Sequence, residues 1–172
     1  MLESDLDLLR CPDCGSVLRL SEVIGRHQSH QDDILEATLS SLQCGASFPI
    51  RRGVPQFQQT DSYAASFSRE WNKWPRVQFD DENVGTAMES FTDKAFFTIT
   101  GVFPQWLRGK LVLDVGCGAG RFLDIAEKYG AKSVGWDLSD SVFVARKNLE
   151  NRTALIVRAD GLSLPFRDHS FD

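Results

Sequence analysis

The stretch Leu111–Phe122 reads L-V-L-D-V-G-C-G-A-G-R-F. An apolar run ends in an aspartate, glycines follow at alternate positions, and a helical pattern then begins. A strand that turns through glycines into a helix leads to a parallel neighbour strand, and that constrains the rest of the domain. Lys110–Val115 suits a buried parallel strand. Arg121–Tyr129 carries Phe122, Ile125, Ala126 and Tyr129 at helical spacing, and Gly130 sits where a C-terminal cap glycine belongs. Ser133–Asp137 reads as a second strand. Ser139 can cap a helix from Asp140 to Glu150 with Val142, Ala145 and Leu149 on one face. Ala154–Ala159 reads as a third strand, Gly161–Asp168 as a loop, and Ser170–Asp172 as the opening of a fourth strand. The order β-α-β-α-β predicts an α/β fold with a doubly wound parallel sheet.

A glycine turn between strand and helix lets a ligand approach the backbone. Two ligand classes compete for it. A dinucleotide site has the pattern G-x-G-x-x-G, which from Gly116 requires glycine at position 121. Arg121 stands there, and the glycines are Gly116, Gly118 and Gly120. Asp114 at the mouth of the turn would repel a pyrophosphate by about 4 kcal/mol per unit pair at 4 Å in a surface-like dielectric. S-adenosylmethionine carries no phosphate, and its ammonium and cationic sulfur favour a nearby carboxylate. Asp137 ends the second strand and can accept hydrogen bonds from both ribose hydroxyls. Leu138 can pack on the adenine. Asp160 follows the third strand and can accept from the exocyclic amine. Three successive strands therefore end in Asp114, Asp137 and Asp160, at the carboxyl ends where open α/β sheets bind ligands.

The sequences L-D-V-G-C-G-A-G-R-F, V-G-W-D-L-S and A-D-G-L-S-L-P-F-R-D-H-S-F-D resemble class I S-adenosylmethionine-dependent methyltransferases, the small-molecule and lipid-type group in particular. The resemblance covers residues 109–172 and extends back to about Tyr63, through S-F-S-R-E-W-N-K-W-P. It implies a Rossmann-like sheet of seven strands. It also implies that Asp114, Gly116 and Gly118, with Gly120 completing the turn, line the methionine end. Asp137 would take the ribose, Leu138 flank the adenine, and Asp160 with Gly161 read the adenine edge. The implied acceptor is a small molecule or lipid-like compound. Family members continue past the S-F-D motif, whereas this chain ends at Asp172, inside the fourth strand. It is therefore expected to hold only the first three to four strands and to leave the first strand with an unpaired edge. Two copies can pair such edges as a homodimer. Methyl transfer is an in-line displacement that needs alignment before it needs a base. The sequence nominates no catalytic base, and His169 reads as an exposed turn residue.

The N-terminal part holds R-C-P-D-C-G-S-V-L and S-L-Q-C-G-A-S-F-P-I-R-R-G-V-P. Cys11 and Cys14 have the tight spacing of a zinc knuckle. The whole resembles the zinc-ribbon-like domains found alone or in front of methyltransferases. In that register a fourth cysteine belongs at position 41, where Ser41 stands; a neutral hydroxyl is a poor zinc ligand, so the ribbon reads as degenerate unless another group completes the site. Cys11, Cys14 and Cys44 are thus the candidate metal ligands, with His27 and His30 in the intervening loop as further candidates, and zinc as the metal. The alternative is a ribbon held without metal by Leu18, Leu20, Leu39, Leu42, Phe48 and Ile50. Cys117, inside the glycine turn, reads as a small packing residue.

Three units follow: 1–59 zinc-ribbon-like, 60–108 helical and aromatic-rich, and 109–172 the first half of a methyltransferase domain. In the middle unit Phe67, Trp71 and Trp74 fall at i, i+4 and i+7 before Pro75. Phe91, Phe96, Phe97, Phe103 and Trp106 form a second aromatic group. These rings are expected to cover one face of the sheet or to close over a ligand as a lid. The chain of 172 residues has a net charge of -5, which argues against non-specific nucleic-acid binding but leaves a specific RNA open. No run reaches the 18 or so apolar residues of a membrane span. The acidic M-L-E-S-D-L-D-L-L-R start lacks a signal-peptide pattern, so the thiols are expected to be reduced in a cytoplasmic protein. Besides a methyltransferase, the residues admit a non-catalytic interaction module with a vestigial cofactor site.

Overall fold

The computed structural model describes residues 1–28, 32–58 and 65–172, with side chains from residue 69 onward in the last segment. His30, Tyr63 and the Phe67 side chain lie outside the described set. The N-terminal unit is an antiparallel sheet in the order β1 (Leu18–Arg26), β2 (Ile34–Ser41), β3 (Ser47–Arg51), β4 (Val54–Pro55). The C-terminal unit is a parallel sheet in the order β5 (Leu111–Val115), β6 (Lys132–Asp137), β7 (Leu155–Arg158). Helices α3 (Arg121–Lys128) and α4 (Ser141–Asn148) make its crossovers. Between the sheets run α1 (Ala65–Lys73) and α2 (Phe91–Thr100).

Local chemistry accounts for these boundaries. Gly130 takes a left-handed φ of 89° and donates to Glu127 O, so α3 stops where a β-carbon would be strained. The helix after β6 is shorter than its apolar pattern suggests. The Ser139 hydroxyl accepts the Ser141 N–H at 3.2 Å, and regular helix begins there. At α2 the Asp80 carboxylate accepts the N–H groups of Thr92 and Asp93, which supplies the cap that the helix itself lacks.

The two sheets share one core. Val134, Leu155, Val157 and Ala159 on one face of the parallel sheet pack with Leu8, Leu9, Leu18, Ile34, Leu39, Phe48 and Ile50 of the N-terminal unit. The opposite face carries Ile156 against Leu123, Val142, Ala145 and Leu149 of the crossover helices. The backbone joins as well. Gln56 bridges Arg158 in parallel, and the Phe57 N–H donates to Arg158 O at 2.8 Å, so the ribbon continues the sheet past the β7 edge. Leu9 bridges Phe166 in the loop after β7, with Arg10 N–H on Pro165 O and Arg167 N–H on Leu8 O. Arg146 of α4 forms an ion pair with Asp33 of the ribbon, which also accepts from the α-amino group of Met1.

The opposite edge is β5. Asp172 lies beside it, with its N–H on Leu111 O at 3.0 Å and its carboxylate accepting Leu111 N–H and Lys110 Nζ. Val115 at the other end of the strand is 65% exposed. Not every aromatic expected over the sheet lies there. Phe96 and Phe97 pack edge-on with Phe122 and Tyr129 on α3. Phe91, Phe103, Trp74 and Trp106 remain exposed. Leu42, expected in the ribbon core, is also exposed, because it sits in the turn after β2. Among the described residues no helix is long and apolar enough to cross a membrane.

Because one core serves both sheets, they should unfold together. Leu9→Ala, at a fully buried position, should cost about 2–5 kcal/mol. Urea denaturation should give one transition that coincides by circular dichroism and by tryptophan fluorescence. Two separated transitions would contradict the shared core.

Candidate functional site

The glycine turn lies at the carboxyl ends of β5 and β6, and four of its backbone donors are already engaged. Gly116 and Cys117 N–H both donate to Trp136 O at 3.0 Å, Gly118 N–H donates to Asp137 Oδ2 at 3.0 Å, and Gly120 N–H donates to Cys117 O at 2.8 Å. A pyrophosphate site uses such N–H groups as its cradle. Here protein oxygens hold them, and one of those oxygens is anionic. A β-carbon added at Gly116 would meet nothing within 4 Å, so this side of the turn is open. Gly118 and Gly120 are closed: Trp71 of α1 covers the first, and Leu149 and Ala145 of α4 abut the second.

Asp137 is fixed from two sides. Besides Gly118 N–H, it accepts Ser139 N–H at Oδ1 at 2.8 Å. Asp114 has no hydrogen bond or ion pair among the described residues. Burial pushes its carboxyl up to about 6, Arg121 opposes that shift, and the nearby Asp137 charge adds to it. Two carboxylates therefore converge on the open side of the hinge, and neither forms a salt bridge. Such a pair holds a negative field that a cationic, hydroxyl-bearing ligand would relieve.

The structure brings Asp114, Gly116, Gly118 and Asp137 together, and Leu138 follows half-buried. It treats the third strand differently. Strand β7 ends at Arg158, and Asp160 lies in the following loop, where Oδ1 accepts Leu162 N–H at 2.9 Å. Gly161 lies against the Trp136 indole, where a β-carbon would come within 2.7 Å of the ring. Its smallness therefore serves that packing. Cys117 is buried with Sγ against Gly135, and burial raises its thiol well above the ordinary value, as suits a packing residue. His169 is exposed in a turn.

Two site residues had no clear sequence signal. Trp71 looked like one ring of a helical aromatic stripe, yet its indole lies on Gly118. Asn148 falls inside the helix expected over Asp140–Glu150, yet its Nδ2 donates to Ala119 O at 3.0 Å and Pro75 O at 2.7 Å. It thereby ties the hinge to the segment after α1.

In the ribbon, Cys11, Cys14 and Cys44 place their sulfurs within 4.8 Å of one another. Cys14 and Cys44 Sγ are 3.4 Å apart, and Cys11 and Cys44 Sγ are 3.7 Å apart. Thiolates about 2.3 Å from a shared zinc in tetrahedral array would lie at about this separation. Ser41 Oγ takes the fourth corner, 3.4 Å from Cys14 Sγ and 3.2 Å from Cys44 Sγ. Hydrogen bonding with Ser16 and Ser41 holds the Cys14 thiol down to about 6. The donor set fits a zinc-type ion with one oxygen ligand. His27 is not among the grouped ligand atoms.

Known families share parts of this sequence. Residues 113–172 match the family described as "Methyltransferase domain", and residues 6–53 match "Trm112p-like protein". The chain is thus similar to one family in its N-terminal part and to another in its C-terminal part. The mouse protein named "Probable tRNA methyltransferase 9B" is 32% identical over 92 residues, 53% of this chain and 19% of that protein. Its human counterpart is 32% identical over 104 residues, 56% of this chain and 22% of that protein. The chain spans about a fifth of the length of these relatives. A solved structure of a Pyrococcus horikoshii OT3 protein overlays at a TM-score of 0.45 with 24% identity, covering 60% of this chain and 45% of that one. The expectation of a small-molecule or lipid-like acceptor is corrected here, since both curated relatives are named for tRNA. The cofactor motifs misled on this point because they report the methyl donor and not what receives the methyl group.

Restoring the missing sulfur should strengthen metal binding. An added direct ligand should count for at least the 10–100-fold or so that outer partners are worth. Ser41→Cys is therefore expected to tighten zinc binding by at least about tenfold, read by competition with a chromogenic chelator. Equal affinities would remove Ser41 from the fourth corner.

Proposed function

We propose that the chain binds S-adenosylmethionine at the β5–β6 strand ends as part of a methyltransferase acting on tRNA. The observation that carries this reading is the engagement of the hinge N–H groups by Trp136 O, Cys117 O and Asp137, with Asp114 left unpaired beside them. A phosphate finds these donors taken, whereas a sulfonium nucleoside finds two carboxylates. When bound, the donor supplies a methyl group on a cationic sulfur. Asp114 offsets the charge of the methionine end, Gly116 leaves room for it, and Asp137 orients the ribose while it holds the turn. Leu138 and the 160–161 loop border the adenine. Trp71, on α1, screens the hinge from water.

The names of the curated relatives support tRNA as the acceptor. The net charge of -5 points to recognition of a particular RNA site over general attraction to phosphate. In the ribbon, Cys11, Cys14 and Cys44 would hold zinc with Ser41, and the metal would fix the two turns that carry them.

The sign of the pH dependence follows from Asp114. Its folded pKa is raised from 3.8 to about 6. Its contribution to stability is therefore present below about pH 4 and is lost as pH rises through about 6. A cationic ligand needs the ionised form, so binding below pH 6 should expel a proton. Calorimetric titration with S-adenosylmethionine should show affinity rising between pH 5 and pH 7, and Asp114→Asn should abolish that rise. Asp137→Ala should weaken binding by about 1.5–3 kcal/mol for each charged hydrogen bond lost. Transfer of radiolabelled methyl to bulk tRNA tests the acceptor. Absence of binding at millimolar ligand would end this reading.

A further inference from the structure

The segment that follows the ribbon's last strand bridges to Arg158 of the parallel sheet, and that residue also reaches the proposed nucleoside loop. Phe57 N–H donates to Arg158 O at 2.8 Å, and Gln56 bridges Arg158 in parallel register. Arg158 is the final residue of β7 and is 7% exposed. Its side chain leaves the sheet on the α4 side. There Nε donates to Leu138 O at 3.0 Å, and Nη1 donates to Asp140 Oδ1 at 2.8 Å. Those acceptors flank Ser139, whose N–H bonds Asp137 Oδ1. A buried guanidinium thus holds the turn after β6 by a backbone carbonyl and a carboxylate.

We propose that Arg158 is a positioning residue that makes the geometry of the 137–140 loop depend on docking of the ribbon. The segment after β4 holds the backbone of Arg158 through its carbonyl, on the edge away from β6, where Arg158 is in register with Asp137. A fixed backbone aims the planar, forked guanidinium at Leu138 and Asp140. The loop in turn sets the direction of the Asp137 carboxylate. Loss of the ribbon strand would leave the terminal residue of β7 on an open edge, and its side chain would lose its aim. The N-terminal unit then acts on the nucleoside site without touching the ligand. This inference rests on the proposed function for its consequence, but its geometry stands without it.

Hydrogen exchange on the full chain, with no ligand added, tests the geometry. Arg158→Leu keeps an apolar strand residue and its backbone bonds. It should speed exchange of the Ser139 and Ser141 amides by about tenfold or more, as expected for a lost charged hydrogen bond. Arg158→Lys, which keeps one charge and loses the fork, should fall between this variant and the parent, and it serves alone should Arg158→Leu not fold. Two ribbon variants test the link at a distance. Phe57→Pro removes the N–H that bonds Arg158 O, whereas Phe57→Ala removes only the ring that packs on Phe48. Exchange at 139 and 141 should rise in Phe57→Pro and stay at the parental rate in Phe57→Ala, with β1 and β2 amides protected in both. Parental exchange in Arg158→Leu and Arg158→Lys, or equal exchange in the two Phe57 variants, would overturn the proposal. S-adenosylhomocysteine titration adds the consequence, with affinity expected to fall about tenfold in Arg158→Leu and partly recover in Arg158→Lys. A parent chain that takes no such ligand counts against the functional reading alone, since the exchange rates decide the positioning role by themselves.

Discussion

Backbone groups at the edge of a sheet need partners, and the β7 edge finds them in Gln56 and Phe57. Most of the structure follows from that junction. It brings the antiparallel sheet alongside the parallel one, and it sets Leu9, Ile34 and Leu39 over Val134, Leu155 and Val157. The face these residues cover is opposite the one that α3 and α4 occupy, so the sheet is shielded on both sides as a parallel sheet requires. The ribbon is therefore part of the sheet's core and not an appendage on a linker.

The hinge obeys a related economy of donors. Its glycines let the chain turn sharply, but the N–H groups they present go to Trp136 O, Cys117 O and Asp137 Oδ2. One carboxylate serves both the turn and the open cleft. Asp137 is thereby held in place, while Asp114, half-buried and without a hydrogen-bond partner among the described residues, has its carboxyl pushed up to about 6.

Much of this was legible in the sequence. The L-D-V-G-C-G-A-G-R-F run marks a strand, a left-handed turn and a helix by local chemistry alone, and β5, the hinge and α3 follow that order. Spacing in C-P-D-C-G and the later C-G brought the three sulfurs together, with Ser41 at the vacant corner. Periodicity could not show which long-range partners the exposed edges choose. Arg158 reads as one charged residue ending a strand, and its bonds to Leu138 O and Asp140 depend on residues about twenty positions away. The aromatic middle was legible only in part, because rings such as Phe103 and Phe96 look alike in sequence and differ only in what tertiary packing brings near them. Asp160 was placed at a strand tip because its strand appeared two residues longer than it is.

The Leu9–Phe166 bridge joins two residues far apart in the sequence. During synthesis, Leu9 leaves the ribosome long before its partner is made. At 5–20 residues per second, the roughly 150 intervening residues take on the order of ten to thirty seconds. Through that interval the ribbon's apolar face has no sheet to rest on. A growing chain of this design therefore carries that face uncovered until β7 emerges.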